Sequence, residues 1–504
     1  MKLGDLSMAR LHGCLRGVEK ESLRVRTDGQ LALTPHSREL GAALTHPNIT
    51  TDFSESQLEL ITGTHGDADA LLQELTEIHQ FVYRHIGDEV LWCASMPCCL
   101  PADADIPLGR YGKSNVGRAK TVYRSGLSYR YGRRMQAISG IHYNFSLPGV
   151  SNEEYFGLIR NFRRRSWLLL YLFGASPAVC STFVEGRKHE LLDLSPRTMY
   201  LPHATSLRMG RLGYQSDAQA ALKVSYNDIQ NYTASLYDAL TKPYPEYEKI
   251  GILVDGEYRQ LNTTLLQIEN EFYSTIRPKR RIRRGERPLH ALRERGVEYV
   301  EVRLMDLDPF NAMGIAAPTM RFLDAFLLTC LADASPRDTP EEIAQVGRNQ
   351  MLVATRGREP GLLLESGSQV ASLSEWGKEL VSGCEAAAEL LDRTFGGAAH
   401  RDALAHAHAA LVTPAELPSA RLLDAMARNH ANSYVRCVQA LSLVHAGHLR
   451  GLPLGEKADK RFRHLAAESL AEQARIEVGD KVDFETFRQR YLSPELLKTD
   501  RRMA

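Results

Sequence analysis

Short catalytic signatures are missing from this chain. Its 504 residues contain no GxGxxG, no HExxH and no CxxC. A dinucleotide fingerprint, a zinc-protease helix and a dithiol motif are therefore excluded. Gly112-Lys113-Ser114 looks like the end of a phosphate loop, but the glycine required five residues earlier is Pro107. Charge of one sign is lacking too: 62 Lys and Arg face 61 Asp and Glu, a formal net charge of +1. That balance argues against a dedicated nucleic-acid binder. No N-terminal segment shows the basic-then-apolar pattern of a signal peptide. The most apolar window, 166–184, is broken by Gly174 and Pro177 and is barely long enough to span a bilayer. It reads as a buried helix running into a loop. Neither a βαβ cadence nor an internal repeat is evident, so a doubly wound parallel sheet is not indicated.

The eight cysteines, at 14, 93, 98, 99, 180, 330, 384 and 437, are scattered without regular spacing. This is the pattern of reduced thiols in a cytoplasmic protein, each a small buried hydrophobe. The composition, 24% charged and 43% hydrophobic, is that of a large globular chain.

What is present is alternation. Four stretches read as strands with polar groups on one face, since residues two apart point the same way. Over 266–273, Gln267, Glu269, Glu271 and Tyr273 alternate with Leu266, Ile268, Asn270 and Phe272. Over 297–304, Tyr299, Glu301 and Arg303 share a face. Over 138–147, Gly140, His142, Asn144 and Ser146 do so, and over 17–25, Glu19, Glu21 and Leu23. For one strand alone, a solvated outer face is the better reading. Acids on all of them would repel unless cations sit among them, and hard divalent cations prefer oxygen ligands. Half-buried, alternating strands favour an antiparallel sheet.

Asp67 or Asp69 is expected to cap a helix reaching about residue 86. Near 358–374 the composition shifts, and beyond it the chain is Ala- and Leu-rich. Ser374 is expected to cap a helix to about 395, and Ser419 another to about 446. The reading is an α+β catalytic domain over 1–374 with a helical region, 375–504, packed on it. His406 and His408 lie about 200° apart on a helix, so they cannot chelate from one face. The basic run Arg277, Lys279, Arg280, Arg281, Arg283, Arg284 and Arg287 is read equally as a solvated loop or as a phosphate contact, with nucleic-acid binding less favoured.

Several blocks resemble one family in order. They include Arg16-Gly17-Val18-Glu19-Lys20-Glu21-Ser22-Leu23-Arg24-Val25, Thr50-Thr51-Asp52-Phe53-Ser54-Glu55, Ser95-Met96-Pro97-Cys98, Ser139-Gly140-Ile141-His142-Tyr143-Asn144-Phe145-Ser146-Leu147-Pro148, Gln267-Ile268-Glu269-Asn270-Glu271 and Glu298-Tyr299-Val300-Glu301-Val302-Arg303. Together they resemble the proteobacterial-type glutamate–cysteine ligases. The resemblance runs from Leu15 to about Gly361 and thins over the C-terminal helices. The loop after Pro148 is short, so any family insertion there is missing.

The resemblance implies a glutamine-synthetase-like fold, an antiparallel sheet curled into a funnel and ringed by helices. It implies ATP-dependent ligation of L-cysteine to the γ-carboxylate of L-glutamate through an acyl phosphate, with Mg²⁺, or Mn²⁺ in its place. Glu19, Glu21, Asp52, Glu59, His142 and Glu301 fall at the family's metal positions. Arg303 and Arg124 would stabilise the reacting groups. Phe53, Tyr123, Leu127, Gln136, Arg208, Tyr214 and Tyr273 would bind substrates. Asp52 is a candidate base for the cysteine amine. Feedback by glutathione is an expected partner interaction; no nucleic acid and no membrane are expected. A related carboxylate–amine ligase using another amine, an RNA-binding module and a metal-dependent phosphatase stay open as alternatives.

Overall fold

In the computed structural model the described residues are 2–213, 217–220, 222–283 and 285–498. They form an α+β architecture with antiparallel sheets, many helices and a helical C-terminal region. The main sheet contains β1 (Leu15–Val25), β2 (Ile49–Thr51), β3 (Gln57–Ile61), β4 (Val90–Leu91), β5 (Ile141–Ser146), β6 (Ile276–Lys279) and β7 (Tyr299–Met305). Its order is β6-β7-β5-β1-β3-β2, with β4 pairing the end of β1, and every ladder is antiparallel.

The alternation decides what faces the core. On β5, Ile141, Tyr143 and Phe145 are buried, as are Val300, Val302 and Leu304 on β7. Each such side chain contributes about 1.5–3 kcal/mol on leaving water. Helices α1 (Ala68–Tyr83), α2 (Asn115–Tyr131), α3 (Asn152–Arg165) and α4 (Ala317–Ala332) surround the sheet. Helix α1 packs against β1, α3 against β6 and β7, and α4 against α1 and α3. Asp67 caps α1, its side chain accepting from Ala70 N–H. Window 166–184 is a buried helix, Trp167–Phe173, followed by a short strand, Ala178–Cys180. Among the described residues, no helix is long and apolar enough to cross a membrane.

β1 buries cations on the face opposite its carboxylates. Arg16 meets Asp324 at 2.6 Å, Lys20 Nζ lies 2.6 Å from His79 Nε2, and Arg24 meets Glu89 at 2.6 Å. Burial pushes Lys20 down to about 7.

Three expectations are corrected. Segment 266–273 is not a strand: it holds a short 3₁₀ turn, Glu269–Glu271, and pairing resumes only at β6. Its polar side chains bond nearby backbone instead of leaving it for a ladder. Glu271 accepts from Gln267 N–H at 2.6 Å, and Gln267 accepts from Leu261 N–H at 2.9 Å. The helix expected from Ser374 is two helices, Leu373–Ser382 capped by Ser372 and Glu385–Phe395, with Gly383 and Cys384 between. The helix expected from Ser419 is also two, Pro418–Asn429 and α5 (Tyr434–Gly451). Ala431 and Asn432 between them adopt positive φ, which ends the first helix, and Ser433 caps the second. Helix α6 (Glu456–Gly479) and helix α7 (Phe484–Tyr491) follow. α5 and α6 both pack on α1.

Candidate active site

The sheet register assembles the site. Glu19 on β1 pairs with His142 on β5, and Asn144 on β5 with Glu301 on β7. On the other side of β1, Glu21 pairs with Glu59 on β3, and Glu59 with Thr50 on β2. All these side chains share the face opposite the apolar core. Ligand atoms of Glu19, His142 and Glu301 lie within 4.8 Å of one another. His142 Nδ1 is 3.1 Å from Glu19, and Asn144 donates to the same carboxylate at 2.9 Å.

Burial and the Arg303 charge hold His142 below its ordinary value, against the pull of the Glu19 hydrogen bond. Its Nδ1 turns to Glu19, which leaves Nε2 on the side of Glu21. That Nε2 is buried with no hydrogen-bond partner among the described residues, as is Asn144 Oδ1, and it stands 3.7 Å from Glu21. Two carboxylates, an unpartnered imidazole nitrogen and an orphaned amide oxygen fit a divalent cation, although imidazole is a less common donor for Mg²⁺ than oxygen.

The carboxylates differ in charge. Burial pushes Glu301 up, but Lys279, Arg303, His142 and Arg277 outweigh it and carry it well below the usual range. Lys279 Nζ is 3.1 Å from Glu301, and Arg303 donates to it at 3.0 Å. Burial likewise opposes ionisation of Glu19, which the His142 hydrogen bond nevertheless holds below its ordinary value. Burial and Asp52 raise Glu21 to about 8. Burial and the charges of Glu19, Asp52 and Glu21 push Glu59 well above its usual value. The site thus has an ionised end under cations and an end crowded with carboxyls short of positive charge.

Arginines close the other sides. Arg208 is fully buried, donates to Arg303 carbonyl at 2.8 Å and lies 3.9 Å from Asp306. Asp306 is fixed by Ser176 at 2.6 Å and by Ala175 N–H at 2.9 Å. Gly140 is required beneath Arg208: a Cβ there would fall 2.5 Å from the guanidinium carbon. Arg124 on α2 donates to Asp52 carbonyl and stacks 4.4 Å over Tyr111. Phe53 is buried in the turn beside Asp52, and Tyr123 and Leu127 lie on α2. Gln136 donates to Tyr273 Oη at 2.7 Å, and Tyr273 sits edge-on to Tyr131. Tyr214 lies outside the described residues. Tyr273 and Arg303 both line a cavity of about 610 Å³ with Phe272, Tyr226 and Met209.

Sequence reasoning misplaced Glu269 and Glu271. They belong to no carboxylate nest: Arg287 neutralises Glu269 at 2.7 Å, and Arg130 meets Glu271 at 3.0 Å. It also left the basic run undivided. Arg277 and Lys279, on β6, face Glu301. Arg280 and Arg281 turn to Glu298. Arg284 lies outside the described residues. The signal that separates Arg277 and Lys279 is their two-residue spacing opposite Glu301.

Comparison with known proteins identifies the family. A family model described as glutamate-cysteine ligase matches residues 3–353. The chain is 50% identical over 495 residues to a glutamate–cysteine ligase of Pseudomonas entomophila, covering 95% of this chain and 93% of that one. It is 46% identical over 502 residues to that of Alcanivorax borkumensis, covering 95% of each. The crystal structure of glutamate–cysteine ligase from Francisella tularensis in complex with AMP superposes with a TM-score of 0.90 at 37% identity, over 95% of this chain and 97% of that one. The chain belongs to the glutamate–cysteine ligase family, whose activity is the first step of glutathione synthesis.

Proposed function

We propose that the face built from Glu19, His142, Glu301 and Arg303 is where L-glutamate, ATP and L-cysteine react. The γ-carboxylate of glutamate attacks the γ-phosphorus of ATP and ADP leaves. The cysteine amine then attacks the acyl phosphate and phosphate leaves, giving γ-glutamylcysteine. The observation that carries this reading is the convergence of Glu19, His142 and Glu301 beside the Arg303 guanidinium.

Glu19, Glu21, Asp52, Glu59, His142 and Glu301 would hold Mg²⁺, and Mn²⁺ suits the same donors. When bound, the ions offset charge on the phosphate oxygens. Arg303 projects between Glu301 and the cavity, where a guanidinium stabilises charge gathering on the transferred group. Arg277 and Lys279 are the members of the basic run placed to meet phosphates. Arg208 is held rigidly enough for bidentate contact with a carboxylate. The cavity beside Arg303 takes the nucleotide, with Tyr226 and Ile343 offering apolar surface to its base. Arg124 orients the Asp52–Phe53 turn. Phe53, Tyr123, Leu127, Gln136 and Tyr273 form the cysteine pocket, where sulfur–aromatic contacts are mildly favourable. Glutathione carries the same γ-glutamylcysteinyl unit as the product, so feedback would act at this pocket.

On this reading the sheet curls as a funnel around the substrates. The unit over 1–374 carries the chemistry, and 375–504 buttresses it. The test is ADP formation with ATP, Mg²⁺ and glutamate, with and without L-cysteine. Cysteine-dependent turnover supports the assignment. Turnover that needs another amine, or none, would overturn the cysteine pocket.

A further inference from the structure

We propose that the C-terminal stretch 473–491 is a positioning clasp that sets helix α2, and through it the affinity for L-cysteine. This rests on the reading that α2 brings Tyr123 and Leu127 to the cysteine pocket.

The clasp holds α2 at its first turn. Asp480 accepts from Asn115 N–H at 2.5 Å, and Glu477 from Lys113 N–H at 2.8 Å. Asn115 donates its side-chain amide to Val482 carbonyl at 2.9 Å. These contacts satisfy backbone donors at a helix N-terminus, where carboxylates also suit the helix dipole. Close approach is built in. Gly112 has φ +79°, and a Cβ there would fall 2.3 Å from Gln473 and 2.4 Å from Glu477.

The clasp then grips the side of the helix. Ala119 and Val122 form a small apolar cluster with Phe484 of α7 and Leu261, separate from the main core. Tyr123, Tyr258, Ile268, Phe487 and Leu492 pack against it. Arg118 places its guanidinium 4.3 Å over the Phe484 ring and 5.2 Å from that of Tyr258. Arg488 donates to Leu261 carbonyl at 2.5 Å, and Tyr258 to Glu485 at 2.7 Å.

Tyr123 is the link. It packs on this small cluster while its helix neighbour Arg124 reaches Asp52 carbonyl, and Leu127 lies one turn further on. Small helix displacements at a binding pocket cost affinity steeply, because contacts are lost together. Glu301, His142 and Arg303 stand on the sheet and receive none of these contacts. The clasp therefore acts on one substrate more than on the others.

The experiment is steady-state kinetics of full-length Phe484→Ala and Asp480→Ala, each substrate varied in turn, with thermal melts. The expected result is a rise of about tenfold in KM for cysteine in Phe484→Ala, with KM for ATP and glutamate within about twofold. Phe484→Leu refills the cluster and should recover most of the cysteine affinity. Asp480→Ala removes only the cap and decides the matter should Phe484→Ala not fold. Leu127→Ala tests the pocket itself. If Leu127→Ala weakens cysteine binding and neither clasp variant does, the clasp is overturned alone. If none of the three moves it, the pocket reading falls and the clasp with it. Equal losses in all three KM values alongside a lowered melting temperature would mean ordinary structural support, and would also overturn the proposal.

Discussion

Arg303 donates to Glu301 at 3.0 Å from two residues further along the same strand, so one edge of the site alternates anion and cation on a single face. The pair is anchored from both neighbouring strands. Lys279 on β6 meets Glu301, and Arg303 comes within 3.4 Å of His142 on β5. The Glu301 carboxylate and the Arg303 guanidinium are thus fixed by ladder geometry rather than by loops.

Glu301→Gln should lower kcat at least about 100-fold at ordinary Mg²⁺, through loss of a metal donor. Titrating ADP release with Mg²⁺ checks it. Normal turnover at ordinary Mg²⁺ would remove Glu301 from the metal site.

Lys279→Ala should raise KM for ATP by on the order of tenfold, the loss of one charge-assisted contact. Lys279→Arg should keep most of the affinity. An unchanged KM for ATP in Lys279→Ala would return Lys279 to the role of a counter-charge for Glu301.

Gly140→Ala places a methyl group against the buried Arg208 guanidinium. Turnover should fall about 100-fold with the fold retained, because a displaced guanidinium no longer meets its target. Circular dichroism beside kinetics checks both halves. Wild-type activity would show that Arg208 shifts without consequence.

His46 supplies the pH prediction. Burial depresses it to about 4 from 6.5, and its Nδ1 accepts from Asn48 and Ile49 N–H. Above pH 6.5 both folded and unfolded states hold it neutral, and its contribution is complete. As pH falls from 6.5 towards 4 the unfolded chain binds the proton first, so stability drops. From His46 alone the loss between pH 7 and 5.5 should be about 1 kcal/mol, and His36, held down to about 4 by burial in the same way, adds its own share. Urea unfolding at the two pH values measures it. His46→Asn keeps an acceptor near the Nδ1 position and should remove about that much of the loss, leaving the His36 share; an unaltered slope would exclude His46 as a source.

The strands carrying Glu19, His142 and Glu301 were legible because their apolar halves pack on helices and their polar halves do not, which leaves a two-residue rhythm. Segment 266–273 shows the same rhythm for another reason: its acids bond backbone and arginines locally. Alternation alone cannot separate these cases, since the partners lie on α2 and at Arg287. β6 was hidden by Pro278, which an edge strand tolerates, and by the cations around it. The helix breaks at 383–384 and 431–432 escaped notice because Ala, Leu and Arg continue the helical pattern on both sides. The left-handed Ala431 has no sequence signal. The clasp was equally illegible, because its contacts join residues more than two hundred positions apart in the chain.

β1 carries Glu19 and Glu21 towards the site and Arg16, Lys20 and Arg24 into the interior, each cation with its own partner. The strand is therefore a two-track record in which reading frame matters more than composition. A single-residue deletion between its halves would swap the tracks, because side chains alternate strictly along a strand. In the displaced half, cations would then turn to the polar face and carboxylates to the interior. Substitutions in this segment can be compensated one at a time, whereas an insertion or deletion reverses its polarity in one event. Length variation among functioning relatives should therefore fall in the turns that flank the strand.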